Sequence, residues 1–279
     1  MSNQIIRGEI KMPYIPVDNG IQIFFDDINP SGRPVLFIHG WPVNRKMFEY
    51  QFNQLPKYGF RCISMDLRGF GQSSKPWEGY SYNTLADDVH CVIDALGLNN
   101  AALVGFSMGG AIATRYMARY EGYGISKLAL ISAAVPKFTQ GPNYPYGLPV
   151  SEVNNLIHQT YIDRPKMISD FGTKFFASHV SGEFRNWFNG LGLEASGHAV
   201  AMTAISLRDE DLRRDAQQIC VPTAIFAGVQ DQIVPFPNAE QMHRYVADSV
   251  LIPFNYSGHG LFYDELEKFN HCLTQFLSM

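Results

Sequence analysis

The sequence has few cysteines and no long apolar run. Its four cysteines stand far apart in 279 residues and form no Cys-x-x-Cys pair, so neither a disulfide framework nor a thiolate zinc site is predicted. No stretch approaches the run of about 20 apolar residues that crosses a membrane. Residues 1–11 lack the basic-then-apolar profile of a secretory signal. We therefore expect a cytoplasmic protein with reduced thiols and no membrane partner.

The chain also lacks an excess of charge of one sign. Its 22 Lys and Arg face 26 Asp and Glu, which gives a formal net charge of −4. The densest basic stretch, residues 208–214, is interleaved with acidic residues and is typical of a solvated helix surface. Binding to nucleic acid or to an anionic membrane needs a basic patch. No nucleic-acid partner is therefore expected.

Patterns for cofactors are missing as well. The glycines supply neither the G-x-G-x-x-G pattern of dinucleotide sites nor the G-x-x-x-x-G-K-[ST] pattern that holds phosphates. The histidines outside position 259 show no spacing typical of metal ligands. We expect no cofactor and no metal.

What the sequence does contain is a series of short apolar runs separated by helical patterns. Such continuous runs are typical of strands buried on both faces of a parallel sheet. The predicted strands are residues 20–27, 34–38, 60–65, 101–104, 127–131, 223–227 and 249–253, and the clearest helices are 84–96 and 108–119. The alternation favours a parallel α/β sheet with right-handed crossovers.

One interval breaks this alternation. Residues 135–219 contain no strong strand run, begin with a stretch rich in Pro, Gly and Tyr, and continue with several helical patterns. We interpret residues 135–219 as a helical cap, or lid, over the carboxyl ends of the strands. The core would then consist of residues 1–134 and 220–279.

The most informative stretch is Gly105-Phe106-Ser107-Met108-Gly109, which lies between a predicted strand and a predicted helix. A serine on such a sharp turn projects its hydroxyl above the sheet, and small residues on both sides let strand and helix approach. The alternative is a glycine-rich turn without chemistry. The preceding strand and the small residues that follow favour a nucleophile.

A serine nucleophile needs a base, an orienting carboxylate and donors for the developing oxyanion. In hydrolases with this turn the chain order is Ser, acid, His, and Asp231 and His259 each follow a predicted strand in that order. Alone, Asp231 would be interpreted as a turn or helix-cap residue and His259 as a surface loop residue. Their joint placement favours catalysis.

The oxyanion donors are predicted to be two backbone N–H groups. Met108 follows the nucleophile, and Trp41 lies in the loop after an early strand; Pro42 has no N–H to offer. For His39 in the same loop, a buried hydrogen-bonding support is favoured over a catalytic role.

At this point the residues resemble a known family. The chain is similar to the α/β-hydrolase family of cofactor-free (non-haem) haloperoxidases, perhydrolases and aryl esterases. The matching segments are 37–42, 66–73, 75–77, 86–88, 104–110, 231–235 and 258–260. The resemblance implies an α/β-hydrolase fold, with a mostly parallel eight-stranded sheet, helices on both faces and a helical lid.

The resemblance also implies site residues and an activity. The triad would be Ser107, Asp231 and His259, with oxyanion donors at Trp41 and Met108. An acyl pocket would lie near the aromatic and aliphatic side chains of Trp41, Phe106, Phe138, Ile233 and Phe236, for which ordinary core packing is the alternative. Members of this family hydrolyse small esters, some also amides or lactams, and with hydrogen peroxide they form peracids that oxidise halide.

Two positions depart from the usual family pattern. Gln230 stands where a second acidic residue is usual, and Asn255-Tyr256-Ser257 stands where Ala-Pro is frequent. Neither position belongs to the triad, but both leave the substrate preference open.

Three hypotheses follow. The first is a serine esterase for small acyl esters that also uses hydrogen peroxide or a short carboxylic acid. The second keeps the triad but cleaves an amide, a lactone, a lactam or a carbon–carbon bond. The third is a small-molecule receptor without catalysis. Epoxide hydrolases and haloalkane dehalogenases are disfavoured because they need a carboxylate at position 107. Self-association as a homo-oligomer is compatible with each hypothesis.

Overall fold

The computed structural model describes residues 13–279, so the prediction about a secretory signal in residues 1–11 lies outside the described residues. Eight strands form one sheet: β1 (Tyr14–Pro16), β2 (Gln22–Ile28), β3 (Arg33–Ile38), β4 (Phe60–Met65), β5 (Ala101–Phe106), β6 (Ile125–Ile131), β7 (Thr223–Gly228) and β8 (Ser249–Phe254). Their spatial order is β1-β2-β4-β3-β5-β6-β7-β8. β1 pairs antiparallel with β2 and β2 with β4, and the pairs from β4 through β3 to β8 are parallel.

The apolar runs of the sequence became the strands because parallel strands are covered on both faces. Every residue of β5 and of β7 is buried. β1 was not predicted, because its three residues form no apolar run. The carboxyl ends of β3, β5, β6, β7 and β8 all meet at one edge of the sheet, where the candidate catalytic residues follow.

The helices are α1 (Glu49–Phe52), α2 (Tyr82–Ala95), α3 (Met108–Arg119), α4 (Val150–Ile162), α5 (Arg164–Gly172), α6 (Gly182–Leu193), α7 (Gly197–Asp209), α8 (Arg213–Ala216), α9 (Phe236–Tyr245), α10 (Leu261–Asp264) and α11 (Leu266–Ser278). α2 begins two residues before its predicted start because Ser81 caps it, accepting a hydrogen bond from the Thr84 N–H. Within residues 13–279 no helix combines the length and the apolar character that a membrane crossing requires.

Helices α4 to α8 lie between β6 and β7, within the segment interpreted as a cap. α8 packs on the core helix α3, where Arg115 Nε lies 2.7 Å from Asp215 Oδ1. The four helices α4 to α7 share the hydrophobic core of the sheet, with buried residues such as Val153, Phe188 and Val200 in the same cluster. That this segment acts as a lid stays a prediction.

Candidate active site

Ser107 occupies the turn between β5 and α3. Its backbone has φ 53° and ψ −118°, a positive φ that a residue with a side chain adopts only when its surroundings impose it. Those surroundings are hydrogen bonds: the Ser107 N–H donates to Ile131 O at 2.9 Å, and Ser107 O accepts from the Ala134 N–H at 3.0 Å. These hydrogen bonds hold Ser107, in its strained conformation, at the carboxyl edge of the sheet, as the Gly-x-Ser-x-Gly pattern predicts.

The two glycines of this turn are needed for space. A Cβ atom on Gly105 would lie 2.6 Å from Gly109 O, and one on Gly109 would lie 2.2 Å from Ile38 O. Both obstacles are backbone atoms, which cannot swing away. Glycine at these positions therefore lets α3 approach β5 and β3 closely enough to form the turn.

Two backbone N–H groups beside Ser107 are free to bind an oxyanion. The loop after β3 passes next to the serine, since a Cβ on Gly40 would lie 2.9 Å from Ser107 Cβ. Among residues 13–279, the Trp41 N–H and the Met108 N–H have no hydrogen-bond acceptor. Met108 also begins α3, whose N-terminus favours negative charge. These are the donors that the sequence predicts.

His39 supports the loop that carries Trp41. Its Nε2 accepts a hydrogen bond from the Leu67 N–H at 3.0 Å, so the proton is on Nδ1, which donates to Gly40 O at 2.9 Å. Burial lowers the pKa of His39 below its ordinary value, against an opposing effect of Asp66. A neutral imidazole with both nitrogens occupied fits the supporting role favoured from the sequence.

Asp231 and His259 form a buried hydrogen-bonded pair. His259 Nδ1 lies 2.8 Å from Asp231 Oδ2, and both side chains are at most 1% exposed. The other carboxylate oxygen of Asp231 accepts the N–H groups of Ile233 at 2.8 Å and Val234 at 2.9 Å. The carboxylate is thereby oriented from both sides, and it holds the proton of His259 on Nδ1.

This arrangement leaves His259 Nε2 as a proton acceptor. Nε2 is buried and has no hydrogen-bond partner among the described residues. Ser132, directly after β6, accounts for the placement of His259, because the Ser132 hydroxyl donates a hydrogen bond to His259 O at 2.9 Å. The neighbouring Ile131 O accepts the Ser107 N–H. The end of β6 thus holds the nucleophile loop and the base loop side by side. Ser132 was missed from the sequence, although its position at a strand end was the available signal.

A narrow apolar cavity of about 10 Å³, room for about one water molecule, reaches Ser107. Trp41, Phe138 and Ile233, three of the predicted pocket residues, line it. The cap supplies the remaining wall with Val153, Leu156, Phe171, Ala204 and Leu207. The indole N–H of Trp41 donates to Val200 O in α7 at 2.8 Å, which joins the oxyanion loop to the cap.

Two predicted pocket residues do not line this cavity. Phe106 packs behind the triad, with its ring centroid 4.8 Å from that of His259 and 5.2 Å from that of Phe262. Phe236 is the first residue of α9 and does not line the cavity.

A wider, more polar groove of about 340 Å³ borders the cavity. The two spaces share Leu156, Phe171 and Ile233 as walls. Side chains capable of hydrogen bonding line the outer groove: Glu152, Asn155, Gln159, Asp170, Lys174 and Gln232. The site therefore has a small apolar space beside Ser107 and a larger polar space next to it.

Residues 13–279 contain no cluster of three or more His, Cys, Asp or Glu side chains that could hold a metal ion. That the protein works without metal or cofactor stays an expectation.

Comparison with known proteins agrees with this geometry. The model of the alpha/beta hydrolase fold family matches residues 33–266. The chain belongs to the α/β-hydrolase family. The fold class and the resemblance predicted from the sequence are thereby confirmed.

Individual relatives of this α/β-hydrolase are similar over nearly the whole chain. The AB hydrolase superfamily protein YisY of Bacillus subtilis (strain 168) is 53% identical over 263 residues, covering 94% of this chain and 98% of the relative. The bifunctional esterase/perhydrolase DCH of Acinetobacter calcoaceticus is 32% identical over 276 residues, with coverage of 95% and 99%. The structure of the esterase EaEST from Exiguobacterium antarcticum superimposes with a TM-score of 0.94 at 46% identity, again with coverage of 95% and 99%.

The two departures from the usual pattern have structural roles in this α/β-hydrolase. The Gln230 side chain donates to Asn255 O at 3.0 Å, and the Ser257 hydroxyl donates to Glu265 at 2.7 Å. Burial acts to raise the pKa of Glu265, but the hydrogen bonds from Ser257 and from the Tyr256 N–H outweigh it and lower that pKa. Both departures therefore stabilise the loop that carries His259.

Proposed function

We propose that this protein is a serine hydrolase that cleaves small carboxylic esters through an acyl-enzyme and that also transfers the acyl group to hydrogen peroxide. The observation that carries the proposal is the buried Asp231–His259 pair, whose Nε2 has no hydrogen-bond partner, in a loop that the end of β6 joins to the strained strand-to-helix turn of Ser107. A binding protein would have no use for this combination, because the strain and the buried pair both lower its stability.

The chemistry follows from these atoms. As Ser107 Oγ attacks the ester carbonyl carbon, its proton moves to His259 Nε2, and the negative oxygen of the tetrahedral intermediate is bound by the N–H groups of Trp41 and Met108. The intermediate collapses when the bond to the alcohol breaks, and His259 returns its proton to the departing alcohol. Asp231 stabilises the imidazolium during this step.

The acyl-enzyme is then resolved by a second nucleophile. Water attacks the acyl carbon, gives its proton to His259 and releases a carboxylic acid. Hydrogen peroxide, in the same position, releases a peracid, which can oxidise halide after it leaves the site. The relative named an esterase/perhydrolase supports this second acceptor.

The shape of the site supports a substrate with two different ends. The cavity beside Ser107 has a volume of about 10 Å³, far below that of an ordinary ligand pocket, and its apolar lining suits only a short acyl group. The polar groove that shares walls with it suits an alcohol that carries hydroxyl or amide groups. We expect acetyl and propionyl esters of polar alcohols to be better substrates than esters with long acyl chains.

The first test is a Ser107→Ala variant assayed with p-nitrophenyl acetate. Loss of a triad serine is expected to lower kcat by about 10⁶-fold, and a fluorophosphonate probe should label the wild type but not the variant. Ser126→Ala is the matched control, because Ser126 lies near the start of β6, at the end away from the candidate site, and its hydroxyl donates only to Asn100 O and Ala101 O. Equal rates for Ser107→Ala and the wild type would contradict the proposal.

A substrate panel separates the ester hypothesis from its alternative. Short esters, the corresponding amides and lactones would be compared with and without hydrogen peroxide. Amide or lactone turnover that matches ester turnover would favour the second hypothesis on the same triad. The cytoplasmic location and self-association stay predictions.

A further inference from the structure

The base loop, residues 255–260 between β8 and α10, is attached to the cap as well as to the core. The carboxylate of Asp264 supplies most of the hydrogen bonds of this attachment. Its Oδ2 accepts the N–H groups of Gly258 at 2.8 Å and Ala177 at 2.9 Å. Its Oδ1 accepts the Ser178 N–H at 3.0 Å and the Ser178 hydroxyl. Asp264 therefore joins the base loop to the cap loop, which we define as residues 173–181 between α5 and α6.

The glycines on both sides of His259 allow this attachment. A Cβ on Gly258 would lie 3.0 Å from Ala177 N and from Phe175 O, and a Cβ on Gly260 would lie 2.2 Å from the Phe176 ring. The Gly260 N–H also donates to Phe175 O at 2.7 Å. The Gly-His-Gly sequence thus fits the close approach of the cap loop.

The cap loop in turn packs against one side of the His259 imidazole. The Phe175 ring is buried and stands edge-on to His259, with centroids 4.8 Å apart and planes at 81°. Phe106 contacts the same imidazole at 4.8 Å. His259 therefore contacts a core ring and a cap ring, whose centroids are 5.9 Å apart, and only the Phe175 contact depends on the cap loop being attached.

We propose that Asp264 is a positioning residue for the catalytic base. By binding four donors at once it keeps Phe175 against His259 and keeps Nε2 aligned with Ser107. A carboxylate is required because it only accepts hydrogen bonds, whereas the NH₂ of an asparagine would face backbone N–H groups. This inference rests on the proposed function, since it assigns His259 as the base.

The test is an Asp264→Asn variant, measured by the rate of fluorophosphonate labelling of Ser107 and by ester hydrolysis. Small displacements of catalytic groups cost up to about 100-fold in rate, so we expect a 10- to 100-fold loss in labelling rate and in kcat. KM for p-nitrophenyl acetate should stay within twofold, because Asp264 does not line the cavity. Asp163→Asn is the matched control: Asp163 caps α5 of the same cap by accepting the Lys166 N–H at 3.0 Å, and its loss should leave labelling unchanged.

A double-mutant cycle distinguishes positioning from general support of the fold. If Asp264 acts through Phe175, then Phe175→Ala and Asp264→Asn should each lower kcat, and the double variant should lose no more than about threefold beyond the worse single variant. Fully multiplicative losses would overturn the proposal, as would an unchanged labelling rate in Asp264→Asn. Should Asp264→Asn fail to fold, Ser178→Ala removes one of the four donors and must still slow labelling by at least twofold.

Failure of this inference is distinguishable from failure of the proposed function. A wild-type protein that the probe does not label would contradict the function itself. A wild-type protein that is labelled, with Asp264→Asn labelled equally fast, would contradict only the role of Asp264.

Discussion

Replacing Asp231 with asparagine changes the charge of the triad while preserving its shape. The Oδ1 of Asp231 accepts two buried N–H groups, those of Ile233 and Val234. An asparagine side chain can keep both bonds only by placing its carbonyl oxygen there. Its NH₂ group then faces His259 Nδ1, which must become an acceptor.

The result is an imidazole with its proton on the wrong nitrogen. With Nδ1 accepting, the proton of neutral His259 moves to Nε2, which can no longer take the proton of Ser107. In a serine protease the same change lowers kcat by about 10⁴-fold, which corresponds to about 5.5 kcal/mol in activation free energy at about 1.36 kcal/mol per tenfold. We expect a loss of this size for Asp231→Asn.

An alanine at the same position separates catalysis from stability. Asp231→Ala leaves the N–H groups of Ile233 and Val234 buried without a partner, at a cost of about 1–3 kcal/mol each. Asp231→Ala should therefore be both inactive and clearly destabilised in urea unfolding at pH 7, whereas Asp231→Asn should be inactive but close to wild-type stability.

Two results would refute this reasoning. If Asp231→Asn hydrolyses p-nitrophenyl acetate within tenfold of the wild type, then Asp231 does not fix the tautomer of His259. If Asp231→Asn is as unstable as Asp231→Ala, its side chain does not keep the bonds to residues 233 and 234, and its inactivity would no longer report on the tautomer.

Two further predictions concern the loops around Ser107. Gly109→Ala places a Cβ 2.2 Å from Ile38 O, so it should lower the free energy of unfolding by about 1–3 kcal/mol and lower activity as well. In Gly190→Ala, within α6, the new Cβ meets nothing within 4 Å, so the free energy of unfolding should rise by about 0.5–1 kcal/mol. Equal melting temperatures for the two variants would contradict this. Burial lowers the pKa of His39 below its ordinary value of 6.5, so His39 binds a proton more readily in the unfolded chain than in the folded protein. The stability that His39 contributes should therefore be complete above pH 6.5 and fall as the pH drops below 6.5. His39→Gln should reduce the difference between urea midpoints at pH 7.5 and 5.5, and an unchanged difference would rule out His39 as its source.

The strands were predictable because their signal is local. A strand buried on both faces needs apolar residues throughout, so residues 60–65 were predicted with the bounds of β4. β1 carries no such signal: it has three residues, only Ile15 is buried, and it ends in Pro16. Its position depends on pairing with β2, which the sequence does not specify.

The candidate triad was predictable for a related reason. In a parallel sheet the residues that follow successive strands meet at one edge, so Ser107, Asp231 and His259 are close in space although distant in the chain. The pocket was only partly predictable. The family resemblance suggested Phe106, but its ring packs against His259 and does not line the cavity.

The attachment of the cap could not be read from the sequence, because its donors are backbone N–H groups. Every residue except proline has such a group, so Ala177 and Gly258 give no sign that they share the carboxylate of Asp264. The contact between Ala177 and Asp264 nevertheless joins segments 87 residues apart in the chain. Since the cap loop touches His259 through Phe175 while α4 and α7 line the cavity, substitutions in the cap should divide into two groups. Those in the cap loop should act on kcat through the base, and those in α4 and α7 should act on KM and on acyl preference.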